Sequence, residues 1–410
     1  MKIFEFFLLR AGRAAPFALA LLALHFSLPQ RAPAADRAKL PGLVDQQPAS
    51  GRFVKTDLGY MVPYKAKIPN TEIEFEMVPV PGGKFLLGSP ASEKGRKADE
   101  GPQIEVVVEP FWIGKYEVTW SEYKPFMNLY TAFKEFQSNN LRGVTKDNDA
   151  DAVTAPSRLY DSTFTFEKGD RPKLPAVSMS QYAAKQYTKW ISLATGQFYR
   201  LPWEAEWEYA CRAGSKTAYC FGDDVSKLGE YAWTTENSDE KPHEVGQKKP
   251  NAWGLYDMHG NVAEWCLDEL VEDAYQKHAG KTVTVAEEAV WPTKLYPRVI
   301  RGGSWDNDAA DARSAARIPS NDKEWTDTDP NLPKSPWWLT DGMALSLGMR
   351  VIRPLHAPAT AADKAKYWEA DIPSIRSAAD QRMAQGRGAR GVVDPGLPAA
   401  IKKLEAEKDK

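Results

Sequence analysis

Apolar and polar positions divide this 410-residue chain into short strands first, helices next and irregular chain last. Phe75-Glu76-Met77-Val78-Pro79-Val80, then Pro81-Gly82-Gly83, then Lys84-Phe85-Leu86-Leu87-Gly88 reads as strand, glycine turn, strand. Gln103 to Glu109 alternates around Ile104, Val106 and Val108, the period of a half-buried strand. Strand character continues from Phe111 to Thr119. Thr119 then caps a helix expected over Trp120 to about Met127, with Glu122 completing a capping box. A second helix is expected over Ser180–Thr195, where Tyr182, Tyr187, Trp190 and Ile191 recur at helical spacing and Gly196 stops the run. Pro202 suits the first position of a third helix, which carries Trp207, Tyr209 and Ala210 and ends near Gly214. Leu347 to Arg353 reads as a closing strand. Residues 128–172, 268–296 and 319–341 hold no sustained period and read as an insertion and long loops.

The flanks differ from this core. Residues 1–34 read as an export signal: Lys2, Arg10 and Arg13 precede the apolar run Ala15–Leu28, and Ala32-Pro33-Ala34 offers a small-residue cleavage site. The run is short for a membrane span, so none is expected after cleavage, and the mature chain is expected to be periplasmic or secreted. Residues 35–73 are Pro-rich and read as an extended linker; residues 355–410 read as a polar, partly helical tail, frayed rather than packed into a second core. Net charge is −2, and removing residues 1–34 makes the rest more acidic still. No basic stripe remains, which excludes nucleic acid as an expected partner. Cys211, Cys220 and Cys266 allow at most one intramolecular disulfide. Cys211 with Cys220 is the more local choice, and three buried thiols are the alternative.

Several residues carry candidate chemistry. Asp257 and Glu264 offer hard carboxylate oxygens, and a turn at Gly260 and Asn261 can aim carbonyls at the same point, a mixture that suits Ca²⁺. Glu204, Glu206 and Glu208 spread around a helix, so they read as ion-pairing acids, with Arg200 or Arg212 as partners, and not as a converging acid–base pair. His243, His259 and His278 show no ligand spacing.

Arg200-Leu201-Pro202-Trp203-Glu204-Ala205-Glu206-Trp207-Glu208-Tyr209, Gly254-Leu255-Tyr256-Asp257-Met258-His259-Gly260-Asn261-Val262-Ala263-Glu264-Trp265 and Arg301-Gly302-Gly303-Ser304-Trp305 occur in that order. Met77-Val78-Pro79-Val80-Pro81-Gly82-Gly83, Tyr116-Glu117-Val118-Thr119 and Pro175-Ala176-Val177-Ser178 precede them, and Gly348-Met349-Arg350 follows. Over residues 74–354 this series resembles the formylglycine-generating enzyme, or sulfatase-modifying factor, family. The resemblance implies one α+β domain with a C-type-lectin-like fold: a small twisted antiparallel sheet, two or three helices and much irregular chain. It implies a structural calcium at Asp257, Gly260, Val262 and Glu264, the middle two through backbone oxygen. It places Ser304 in the active-site cleft, and Arg301, Trp305, Asn307 and Asp308 are assigned to the same cleft.

In the family's catalytic members a copper-binding cysteine pair follows the Gly-Gly-Ser segment. Here Asp306-Asn307-Asp308-Ala309-Ala310-Asp311-Ala312-Arg313-Ser314 follows, with no sulfur. Asn and Asp do not replace thiolates for Cu(I), which prefers soft ligands, so copper is not expected. The resulting expectation is an exported, non-catalytic protein that binds a protein or peptide partner. The alternatives are an exported oxidase-like enzyme with a non-thiol centre, like the relatives that mature pyoverdine, or formylglycine generation on sulfatases.

Overall fold

Period-two alternation produces strands here, but they pair across several small sheets instead of one. The computed structural model describes residues 40–157, 162–320, 335–339 and 342–408. The export signal and residues 321–334 of the 319–341 loop lie outside the described residues. Strands β1 (Leu43–Val44), β2 (Val54–Thr56) and β3 (Gly59–Met61) form a sheet in the order β1-β3-β2. β4 (Tyr64–Lys67) then pairs antiparallel with β5 (Glu74–Val80), Tyr64 opposite Met77. The segment read as a linker therefore supplies strands to the domain, and Met61 and Ile68 are buried in the main core.

The expected strand-turn-strand at 75–88 forms as β5 and β6 (Gly83–Leu87), yet the two do not pair with each other. β6 pairs with β7 (Ile104–Val108), while β5 pairs with β8 (Phe111–Gly114). The turn at Gly82–Gly83 moves the chain from one sheet to another.

Helix α1 begins after Thr119 as expected, with Thr119 and Glu122 in a capping box, but it spans Trp120–Ser138 and passes through Pro125. The apolar stripe continues into the presumed insertion through Phe126, Leu129, Phe133 and Phe136, all buried. Packing of that stripe outweighs the one backbone hydrogen bond that Pro125 removes. β9 (Ala152–Ala155) follows.

Helix α2 (Gln181–Thr195) starts where the Ser180 hydroxyl accepts a hydrogen bond from the Ala183 amide and ends at Gly196 in the left-handed region. Helix α3 (Glu204–Arg212) starts two residues later than expected: Trp203 is the N-cap, so Pro202 lies outside the helix. Glu206 sets this boundary, because its carboxylate accepts from the Trp203 amide at 2.9 Å.

A third sheet builds the centre of the site. β10 (Ala263–Glu269) lies between β12 (Arg298–Arg301) and β14 (Leu347–Gly348), with β13 (Ile318–Pro319) on the far edge of β12; β11 (Thr282–Thr284) joins β7 elsewhere. The expected closing strand is broken into β14 and β15 (Ile352–Pro354), and Arg350 turns inward between them. The whole is an α+β arrangement, as the C-type-lectin-like reading requires.

The tail is part of the body. Helices α4 (Ala361–Trp368) and α5 (Pro373–Ala384), strand β16 (Ala389–Val392) and helix α6 (Leu397–Lys408) pack on α1, α2 and β9, burying Trp368, Ala379, Leu397 and Leu404. β16 pairs antiparallel with β9, Gly391 opposite Val153. Gly391 permits this approach, since an added Cβ would lie 2.3 Å from the Phe133 ring. Between the helices, Asp371 accepts from Lys185 at 3.0 Å and from both terminal nitrogens of Arg298 at 2.9 and 3.0 Å. Burial raises the Asp371 pKa, but the Arg298 and Lys185 cations outweigh it and bring the carboxyl down to about 2.

Asp371→Asn leaves Lys185 and Arg298 buried without a counter-charge. The expected loss is about 3 kcal/mol at pH 7, measured by denaturant unfolding. The difference from wild type should shrink as pH falls toward 2, because a depressed carboxylate contributes stability only above its folded pKa.

Candidate functional site

The site is organised by the bend after β12. Gly302 and Gly303 adopt φ of +95° and +66°, and a Cβ on Gly303 would meet the Asp311 carbonyl and the Ala312 amide at 3.0 Å. The bend therefore requires glycine, and it turns residues 304–314 into a closed loop.

The residues assigned to the cleft divide between the interior and the surface. Arg301 is fully buried. Its guanidinium pairs with Glu208 and donates to the carbonyls of Ala315 and Ala316 at 2.8 and 2.5 Å. This corrects its placement on a cleft wall: Arg301 pins the loop from behind. Trp305 is also interior, with its indole N–H donating to the Leu345 carbonyl at 3.2 Å. Ser304 is buried, and its hydroxyl closes its own turn by donating to Asn307 Oδ1 at 2.7 Å and accepting from the Asp306 amide at 3.2 Å. Only the turn beyond reaches solvent. Asp306 and Asp308 are exposed and Asn307 is half-buried. Thr235 holds this turn, donating from its hydroxyl to Asp308 Oδ1 at 3.0 Å and from its amide to the Asn307 carbonyl at 3.2 Å. Partial burial raises the Asp306 carboxyl, with nearby Lys168 opposing and Glu240 adding to the rise.

The residues expected to bind calcium converge just beneath. Asp257 (φ +56°) and Gly260 (φ +76°) shape the turn before β10. Glu264 accepts from Arg350 Nη2 at 2.8 Å and from the Trp207 indole at 2.8 Å, so both of its oxygens are engaged. Asp257 accepts from the Gly246 amide at 2.7 Å through one oxygen, and its other oxygen is buried with no hydrogen-bond partner. A third carboxylate, Glu117, joins them. It accepts from the Val262 amide at 3.0 Å and the Asn261 side chain at 2.7 Å. Sequence reading quoted Glu117 within a motif but gave it no role, because nothing local links it to residues more than a hundred positions away.

Three buried carboxylates thus face one guanidinium, Arg350. Burial and the neighbouring negative charges push Glu117 well above the ordinary carboxyl range, and burial raises Asp257 to about 6. Excess buried negative charge is relieved by protonation or by a cation. The unpartnered Asp257 oxygen fits a hard cation. Among the described residues no three His, Cys, Asp or Glu side chains form a metal-binding group, so such a cation needs backbone carbonyls as well. Glu264 fits less well than expected, since Arg350 already occupies it.

The three glutamates of α3 are ion-paired: Glu204 with Arg317, Glu206 with Arg200, and Glu208 with Arg212 and Arg301. All three cysteines are free thiols, Cys211 and Cys266 buried and Cys220 partly so.

Residues 65–328 match the family model described as a sulfatase-modifying factor enzyme 1-like domain. The chain is 29% identical over 289 residues to a Chlamydia pneumoniae protein named serine/threonine-protein kinase pkn1, covering 69% of this chain and 40% of that protein. It therefore spans well under half the length of this relative. It is 30% identical over 257 residues to the formylglycine-generating enzyme of Streptomyces coelicolor, covering 56% of this chain and 78% of the enzyme. It is also 31% identical over 271 residues to the inactive Cα-formylglycine-generating enzyme 2 of Mus musculus, covering 59% and 78%.

Carboxyls raised on folding, such as Glu117 and Asp257, contribute stability that is complete below their unfolded pKa and lost as pH rises through the folded value. In chelator, the melting temperature should fall between pH 5 and 7.5, and Asp257→Asn should flatten that slope. Thermal melts across this range check it.

Proposed function

The chain belongs to the sulfatase-modifying-factor family, and we propose that it is an exported, non-catalytic member that binds a protein or peptide partner. One observation carries the reading. After the Gly302–Gly303 bend the exposed surface of the loop consists of Asp306, Asn307 and Asp308, and the Ser304 hydroxyl is consumed inside its own turn. The loop presents hard carboxylates and an amide. Redox work on a copper ion calls for soft thiolates, whereas carboxylates at 306 and 308, with Glu240 near Asp306, suit a partner that presents basic groups. Family membership alone does not decide activity, since an enzyme and a relative named as inactive match about equally well.

The same reading includes a structural calcium held by Asp257, with Gly260 and Val262 offering backbone oxygen. Ordering irregular chain costs about 1–2 kcal/mol per residue, and a cation here would offset part of that while neutralising the excess charge beside Glu117.

Elemental analysis of residues 35–410 after gel filtration should find calcium near one per chain and no stoichiometric copper or iron. Bound copper or iron, with oxygen uptake on a sulfatase cysteine peptide, overturns the non-catalytic reading. Added calcium should raise the melting temperature more at pH 7.5 than at pH 5, where protons compete for Asp257. Reversing charge in an Asp306→Lys, Asp308→Lys double variant should leave the melting temperature unchanged, because both side chains are exposed. It should abolish co-purification of a partner that wild type retains, and retention by the variant would count against this loop as the binding surface.

A further inference from the structure

His259 is buried behind the 304–314 loop, and both of its ring nitrogens are committed. Nδ1 lies 2.7 Å from the Ala312 carbonyl, which can only accept, so Nδ1 carries the proton. Nε2 then accepts the Cys220 amide at 3.1 Å. The imidazole is neutral, and burial brings its pKa down to about 4. The Cys211 sulfur rests on the same ring, 3.7 Å from Nε2 and 3.8 Å from Nδ1. Two of the three cysteines thus pack around one imidazole. Cys211 is in the last turn of α3, which is rigid. Cys220 is in the tight turn closed by the Tyr219–Gly222 bridge, where Gly222 has φ of +132°. Of the charged neighbours acting on the Cys211 thiol, Cys220 is the strongest, whereas Cys266, on β10, faces Asp268, Glu204, Arg301 and Glu264.

We propose that Cys211 and Cys220 are a disulfide-forming pair that staples the end of α3 to the 219–222 turn, leaving Cys266 as the single thiol. The reaction is exchange with an external disulfide, R–S–S–R. The more accessible Cys220 attacks first as thiolate, forming a mixed disulfide and releasing RSH. Cys211 then attacks the Cys220 sulfur and releases the second RSH. Two protein thiols are oxidised, one external disulfide is reduced, and the two thiol protons pass to the leaving sulfurs. Burial raises both thiols in the folded chain, Cys220 to about 12. Exchange therefore belongs to folding, before the turn closes over His259, and the closed pair is shielded afterwards.

The staple bears on the surface loop. Tyr219 donates its hydroxyl to the Ala309 carbonyl at 2.8 Å, and the Ser314 amide donates to the Ala218 carbonyl at 2.8 Å. Both flanks of the 304–314 loop therefore rest on the segment that Cys220 anchors. The proposal is independent of the binding role, since it concerns the covalent state of the chain and not its partner.

The test refolds the reduced full chain in a buffer of oxidised and reduced glutathione, then denatures it, alkylates it with iodoacetamide and maps the peptides by mass. The expected result is alkylation at Cys266 alone and a 211–220 linkage two hydrogens lighter than the dithiol. Oxidised chain should melt a few degrees above chain held in reductant, and Cys266→Ser should keep both the linkage and the shift. Three alkylated thiols, a persistent glutathione adduct on Cys220, or a bond from either cysteine to Cys266 would each overturn the proposal.

Discussion

Buried pairing of arginine with carboxylate is the interaction on which the rest of this structure depends. Arg200, Arg298, Arg301, Arg313, Arg317 and Arg350 are all buried. Their partners are Glu206, Asp371, Glu208, Glu100, Glu204 and Glu264. Taking such ions out of water costs several kcal/mol each, and the attraction repays this only when every member is matched. The pairs therefore act less as a reserve of stability than as a demand for one arrangement. Any displacement of the 298–317 segment would leave several charges buried without partners at once. That penalty holds long irregular segments in place where few backbone ladders exist to do so.

Helix α3 is the hub. Its three glutamates point in different directions and collect arginines from before, within and well after the helix. The Gly302–Gly303 bend is fixed on one side by Arg301 and on the other by Arg313, which pairs with Glu93 and Glu100. The surface loop between them is rigidly mounted although it contains no regular structure. On the opposite side, Asp371 ties the tail helices to α2 and β12 through Lys185 and Arg298. One chemical device thus positions the loop and incorporates a segment whose composition looks like a linker.

One departure from full matching lies beside Glu264. Glu117, Asp257 and Glu264 share Arg350, and Asp257 keeps an oxygen with no partner. In a protein that otherwise matches its buried charges closely, this imbalance marks the place where a proton or a cation completes the structure.

The sequence by itself determined the local elements and the family. Alternation at Ile104, Val106 and Val108, the Thr119–Glu122 box, Ser180 with Gly196 and the paired glycines at 302–303 are signals carried by neighbours in the chain, and each appears where expected. The stripe that extends α1 to Ser138 was equally legible, but Pro125 obscured it. Tertiary structure decided what depends on distant partners. It placed Arg301 and Trp305 inside instead of on a cleft, brought Glu117 to Asp257, seated Cys211 and Cys220 on His259, and packed the tail against β9. Residue type at those positions is compatible with surface or core alike. The choice follows from which opposite charge or ring lies across the fold, and no local spacing records that.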